Sequence, residues 1–316
     1  MHKLFGLSKQ PALHKAVQSG EISDVRVMLQ KCTDIDQADK QNGRSPLHVA
    51  AAAGFDVILG ELLDRQSKAA GLQDTDGNTP LHLAAAGGHT RCVQLLMGSR
   101  NSDQRSRQQQ LQLRNAAGYT PLMAAAAAGH AQVVDVMLLA GADMHSGVLQ
   151  GRVTIGHLAA RGGHVQVLAV LAAHGFDLRS DTLDMTTLLH EAAAQGQVAA
   201  VQWLLQAGLN PAARNAEQKS ALDLARAEQH HTVVQVLRNA AASAPPAAAA
   251  AAAPSGSGAS SEPSTPTAAV AAAIAARSSM QQQQQQQAGR LAGQLVVYPE
   301  NEQYKFYPAV DKRVNM

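Results

Sequence analysis

Asp74-Thr-Asp-Gly-Asn-Thr-Pro-Leu-His-Leu-Ala-Ala-Ala-Gly-Gly-His-Thr-Arg-Cys-Val-Gln-Leu-Leu-Met97 is the stretch that decides how this chain folds. It opens on a turn signal, with Gly77 available for positive φ. Pro80 then fits the first turn of a helix, where no amide donor is lost. Leu81, Ala84 and Ala85 follow at helical spacing, and Gly88-His89 ends that helix in the manner of a C-cap. Cys92, Val93, Leu96 and Met97 lie on one stripe of a second helix. The unit is therefore turn, short helix, short helix. Neither helix is long enough to be stable alone in water, so each must bury its stripe against something else.

That something else is another copy of the same unit. The Leu-His step recurs at Pro11-Ala-Leu-His14, Ser45-Pro-Leu-His48, Thr79-Pro-Leu-His82 and Thr187-Leu-Leu-His190, with degenerate copies at Thr120-Pro-Leu-Met123, Thr154-Ile-Gly-His157 and Ser220-Ala-Leu-Asp223. Counted from the histidine position, the steps are 34, 34, 41, 34, 33 and 33 residues. A period near 33 predicts a solenoid of stacked units rather than one globular core. The second-helix stripe keeps register: Val25/Leu29, Ile58/Leu62/Leu63, Val133/Val134/Met137/Leu138, Val167/Leu168/Leu171, Val201/Leu204/Leu205 and Val233/Val234/Leu237. So does the glycine between the helices, at Gly20, Gly54, Gly88, Gly129, Gly163 and Gly196, with Gln229 in the last copy.

Turn, Thr-Pro-Leu-His, Ala-Ala, Gly-His, Val-Val, Leu-Leu resembles the ankyrin repeat, and about seven copies span residues 11–240. The resemblance implies an all-α solenoid of stacked helix-turn-helix repeats with β-hairpin-like turns. It also implies that His14, His48, His82, His157 and His190 brace the turns. Only 3% of residues are aromatic against 46% hydrophobic, which suits a thin stack built from Leu, Val and Ala. Trp203 falls inside a second-helix stripe and reads as core.

Three flanking regions accompany the repeats: an N-terminal extension over 1–10, a low-complexity Ala/Pro/Ser/Gln linker over 241–294, and an aromatic segment over 295–316. The linker holds an alanine tract at 247–253 and a glutamine tract at 281–287, and has too little apolar surface for a core, so a disordered tail is expected. Tyr298, Tyr304, Phe306 and Tyr307 make up four of the nine aromatic residues of the whole chain, which marks the end of the tail as a candidate contact motif.

Composition narrows the function. The net charge of +2 is mixed in sign, with no Lys/Arg block, which argues against direct nucleic-acid binding. No long apolar run predicts a membrane span. Residues 1–11 lack an apolar signal core, and two cysteines cannot make a disulfide framework, so a cytoplasmic or nuclear location is expected. Thirteen histidines invite a metal or catalytic reading, but eight of them fall in the repeated Leu-His and Gly-His slots. His190-Glu191 lacks the second histidine of a zinc-protease helix. No catalytic residue, cofactor, metal site or small-molecule substrate is expected.

What remains is a non-enzymatic intracellular scaffold or adaptor for other proteins. The alternatives are a nuclear transcriptional co-regulator, and a regulatory or targeting subunit of a proteasome, ubiquitin-ligase or phosphatase complex. In ankyrin stacks the hairpin tips and first helices line a concave face. The resemblance therefore makes Lys40, Arg44, Asp76, Asn78, Tyr119, Arg152 and Lys219 candidate partner-binding residues, with Tyr119 as an exposed anchor. Small residues at Ala52/Ala53, Ala86/Gly87 and Ala127/Ala128 would let a partner approach closely. Two irregularities stand out. The long step adds a loop near 98–114 carrying four arginines and one aspartate. Arg152, Met185 and Gln218 also replace the turn glycine in the last three copies, which predicts a looser hairpin row there.

Overall fold

The computed structural model describes residues 12–31, 35–65, 69–98, 104–147 and 153–243. Arg152 and the aromatic segment with Tyr298, Tyr304, Phe306 and Tyr307 lie outside the described residues, as do 1–11 and 244–316.

Among the described residues fifteen α-helices follow one another: α1 (Ala12–Ser19), α2 (Ile22–Lys31), α3 (Pro46–Ala53), α4 (Asp56–Asp64), α5 (Pro80–Ala86), α6 (Thr90–Gly98), α7 (Gln104–Gln112), α8 (Pro121–Ala128), α9 (Ala131–Leu139), α10 (Ile155–Gly162), α11 (Val165–Ala173), α12 (Leu188–Ala194), α13 (Val198–Gln206), α14 (Ala221–Ala227) and α15 (His231–Ser243). All but α7 form pairs, and the pairs stack into two layers. The first helices α1, α3, α5, α8, α10, α12 and α14 pack each on the next; α2, α4, α6, α9, α11, α13 and α15 form the second row. No strand is present among the described residues, although isolated antiparallel bridges close two hairpins, at Asp181–Thr187 and Arg214–Ser220.

Each first helix is bounded by its own sequence. Ser45, Thr79, Thr120, Thr154, Thr187 and Ser220 are N-caps in extended conformation. Gly54, Gly129 and Gly163 stop α3, α8 and α10 in the left-handed conformation. The core runs the length of the stack. Leu81, Leu122, Ile155 and Leu188 are buried, and so are the alanine pairs Ala50/Ala51, Ala84/Ala85, Ala125/Ala126, Ala159/Ala160 and Ala192/Ala193. Paired methyl side chains keep the layers close, which is why so few aromatics suffice.

Two sequence expectations change. The hairpins of the sixth and seventh units are not loose. Met185 and Gln218 hold φ of 53° and 59°, beside 65° to 78° for Gly43, Gly77 and Gly118. Their closing bonds, Thr182 N to Thr186 O at 3.1 Å and Asn215 N to Lys219 O at 3.0 Å, match Asp74 N to Asn78 O at 2.9 Å. Stacking holds non-glycine residues in a conformation that costs about 1–2 kcal/mol each. In the fifth unit α10 and α11 are in place, and its tip at Arg152 lies outside the described residues. Finally, the insertion is not a simple loop: α7 occupies Gln104–Gln112 and buries Leu111 against α8.

Candidate interaction surface

Two ladders of side chains join neighbouring units, and together they account for most of the histidines. In the first, His48 Nδ1 accepts from the backbone N–H of Ser45 at 3.2 Å and sits 2.8 Å from its hydroxyl. A nitrogen that accepts an amide N–H carries no proton, so the ring's hydrogen is on Nε2. That Nε2 donates to the carbonyls of Leu72 and Asn78, both at 3.1 Å, in the next hairpin. His82 repeats the arrangement with Thr79 and with the Tyr119 carbonyl at 2.9 Å. His157 reaches the Thr186 carbonyl at 2.8 Å, and His190 reaches that of Lys219 at 3.0 Å. Burial lowers the pKa of all four rings, against the raising effect of these carbonyls.

The ends of this ladder differ for chemical reasons. His14 Nε2 donates to the Arg44 carbonyl at 2.7 Å, but its buried Nδ1 has no partner. Three residues earlier stands Pro11, which offers neither N–H nor hydroxyl. At the other end Asp223 replaces histidine and accepts from both the N–H and the hydroxyl of Ser220, at 3.0 and 2.7 Å. An acceptor is enough where no described hairpin follows. Those two bonds lower the Asp223 pKa.

The second ladder lies at the opposite end of the helices. His89, His130, His164 and His230 donate through Nε2 to the carbonyls of Ala52, Ala86, Ala127 and Ala194, at 2.9–3.1 Å. Their rings cover the turn glycines of the preceding units; a Cβ on Gly88 would lie 2.5 Å from His130 Nδ1. Gln197 takes the same place for Arg161. The sequence conceals the membership of His230, because Gln229 interrupts its Gly-His signature. His174 is held separately, donating to Asp135 at 2.7 Å.

The hairpin tips are partly spent on the stack itself. Arg44 pairs at 3.1 Å with Asp74, whose side chain is fully buried. Asn78 Oδ1 accepts from Asn115 at 2.9 Å. Tyr119 is half-buried rather than an exposed anchor, and packs against Met123 and Leu158. Lys40 and Asp76 are exposed, as is Lys219, which pairs with Glu217 at 2.8 Å on the surface. Backbone bonds run from tip to tip, from Thr75 to Asn42, Ala116 to Asp76 and Ala216 to Asp184. These bonds brace the tips of the second to fourth units, and those of the sixth and seventh.

Between the ladders, the outward positions of the first helices divide the surface. Ala52, Ala53, Ala86, Gly87 and Ala128 are exposed and Ala127 is half-exposed; Val49 and Leu83 show part of their side chains beside them. Beyond α8 the equivalent positions are mixed, Arg161/Gly162, Ala194/Gln195 and Ala227/Glu228, and Arg161 is exposed 4.0 Å from Glu191. Among the described residues no group of three His, Cys, Asp or Glu side chains could hold a metal ion. Cys92 is buried, which pushes its thiol pKa up to about 11, unsuited to nucleophilic chemistry. No described helix is long and apolar enough to cross a membrane.

Segments 55–148, 137–215 and 156–245 match the family described as ankyrin repeats (3 copies). No curated protein matches the sequence. Among solved structures, the chain is similar to the human ASB11 ankyrin repeat domain, at 25% identity and a TM-score of 0.61, covering 75% of this chain and 100% of that one. The ankyrin repeat domain of Bcl-3, a member of the IkappaB family, aligns at 22% identity and a TM-score of 0.57, covering 73% of this chain and 99% of the other. At that identity the second likeness concerns the fold.

Proposed function

The chain belongs to the ankyrin-repeat family, and from that premise we propose that it is a non-enzymatic scaffold or adaptor that binds another protein along the first-helix face of its stack. The observation that carries this reading is the row of exposed small residues at Ala52/Ala53, Ala86/Gly87 and Ala128, repeated in register over three consecutive units. A floor of methyl groups admits the backbone of a partner helix or strand. Lys40 and Asp76 at the tips, with Arg161 and Glu191 farther along, supply a charged rim that orients the approach. The ladder histidines are engaged in holding the units together and stand outside this role. A nuclear co-regulatory role is the second reading, favoured by the glutamine tract at 281–287.

Proximity labelling with the full chain tests the proposal. The set of labelled proteins is compared between the wild type and a variant carrying Ala53→Arg and Ala86→Arg. Loss of specific labelled partners in the variant supports the first-helix face as the contact; an unchanged set overturns it.

A further inference from the structure

Leu183 and Met185 stand at the tip of the sixth hairpin, 72% and 47% exposed. At the same two positions the other described hairpins place Gln41/Gly43, Thr75/Gly77, Ala116/Gly118 and Ala216/Gln218, none of them a large apolar pair. Met185 also holds φ at 53°, a conformation that glycine adopts freely and other residues only at a cost. A strained residue that displays an apolar side chain to water marks a contact surface rather than a packing need of the stack.

A second feature lies on the same two units. Between the connections into the sixth and seventh hairpins is a hollow of about 290 Å³ lined by Arg179, Thr187, Gly208, Leu209, Asn210 and Ala213. Thr187 is bridged to Asp181, at the base of the hairpin that carries Leu183 and Met185. Arg179 is exposed and offers a guanidinium to the face of an aromatic ring. The Met185 sulfur suits the edge of such a ring. The occupant that fits this surface is therefore aromatic.

Phe55, Tyr119, Phe176 and Trp203 are buried or half-buried in the stack, whereas four further aromatics, Tyr298, Tyr304, Phe306 and Tyr307, follow in the tail sequence. The chain leaves the stack at the end of α15, which packs alongside α13 and at 13 residues runs about one turn longer than its nine. Its exit is thus on the side of the connection from α13 into the seventh hairpin, one unit from Leu183 and Met185. Residues 244–297 then lead to Tyr298. A coil of that length spans about 40 Å, against about 10 Å between packed neighbours. Such a tether places the rings near the surface at a roughly millimolar effective concentration.

We propose that the aromatic segment 298–307 of this chain docks on its own sixth and seventh units, with its rings on Leu183 and Met185 and in the hollow beside Arg179. The docked segment covers one end of the tip row, and a partner that uses those tips must displace it. This contact is separate from the first-helix face.

Photocrosslinking of the full chain at low micromolar concentration tests this. With Tyr304→benzoylphenylalanine, irradiation should join position 304 to residues within 177–187 or 207–214 of the same molecule. Leu183→Ser combined with Met185→Gly removes both apolar side chains and suits the left-handed turn; it should abolish the adduct. Leu139→Ser, at a residue 61% exposed on another element, should keep it. No adduct, adducts elsewhere on the stack, adducts only between two copies, or a yield unchanged by Leu183→Ser with Met185→Gly would each overturn the proposal.

Discussion

The ring of Phe176 fills the space that a side chain at Gly156 would need: a Cβ there would lie 2.6 Å from Phe176 Cε1 and 3.1 Å from Leu188 Cδ2. Glycine in place of the usual leucine is thus one half of a size exchange. Phe176, buried in the loop after α11, supplies the missing volume from the next connection and stacks on His145 with ring centres 6.5 Å apart. Gly156→Ala should therefore destabilise the stack by about 1–3 kcal/mol, the usual cost of overpacking. Combining it with Phe176→Leu should recover part of that loss. A urea double-mutant cycle checks the pair; strict additivity would show that the two residues are not coupled.

Gln229 occupies the inter-helix glycine slot at φ 59°. Gln229→Gly should raise stability by about 0.5–1 kcal/mol, the left-handed strain relieved less the added freedom of the unfolded chain. Gly88→Ala has the opposite sign, because the new Cβ meets both a positive φ and the His130 ring. Thermal unfolding of the two variants gives the comparison, and a destabilised Gln229→Gly would contradict it.

Much of this was legible in the sequence and some was not. The Leu-His slot announced itself because one side chain must cap its own helix and reach the next unit, and few residues do both. The turns of the last two units misled, since Met185 and Gln218 lack the glycine that signals positive φ; neighbouring tips enforce the conformation from outside. The helix α7 was hidden by polar residues with a single buried leucine, Leu111. Phe176 was invisible as Gly156's partner because their contact depends on how one unit sits on the next. The tip residues Arg44 and Asn78 are chemically open to a partner in the sequence, but the structure engages them with Asp74 and Asn115.

Four ladder histidines have their pKa lowered by burial, so the folded chain resists protonation that the unfolded chain accepts near 6.5. Their neutral form is favoured in the fold. Stability is complete above about pH 6.5 and falls as the pH drops towards the lower folded values. Urea midpoints at about pH 7.5 and about pH 5.5 should differ in the wild type. The difference should shrink in His190→Gln, which removes one of the four groups; an equal or larger difference would contradict the assignment.

Leu96→Ala should cost about 2–5 kcal/mol, because the leucine is fully buried between layers. Tyr119→Ala should cost about 1–2 kcal/mol, since Tyr119 is partly buried against the cluster of Met123 and Leu158. That is more than an exposed tip residue would lose. Chemical denaturation orders the two, and a Tyr119→Ala midpoint equal to that of the wild type would return Tyr119 to the role of a free tip.

The first-helix face is tested most directly by calorimetric titration of a partner captured by the full chain. Ala53→Arg, Ala86→Arg and Ala128→Arg each place a long side chain on that face at an exposed position, and Gln202→Arg places one at an exposed position on α13. Each of the first three should weaken the dissociation constant by roughly tenfold or more, about 1.4 kcal/mol, while Gln202→Arg leaves it unchanged and all four keep the wild-type unfolding temperature. Equal affinity across the three alanine variants and the wild type would contradict the account.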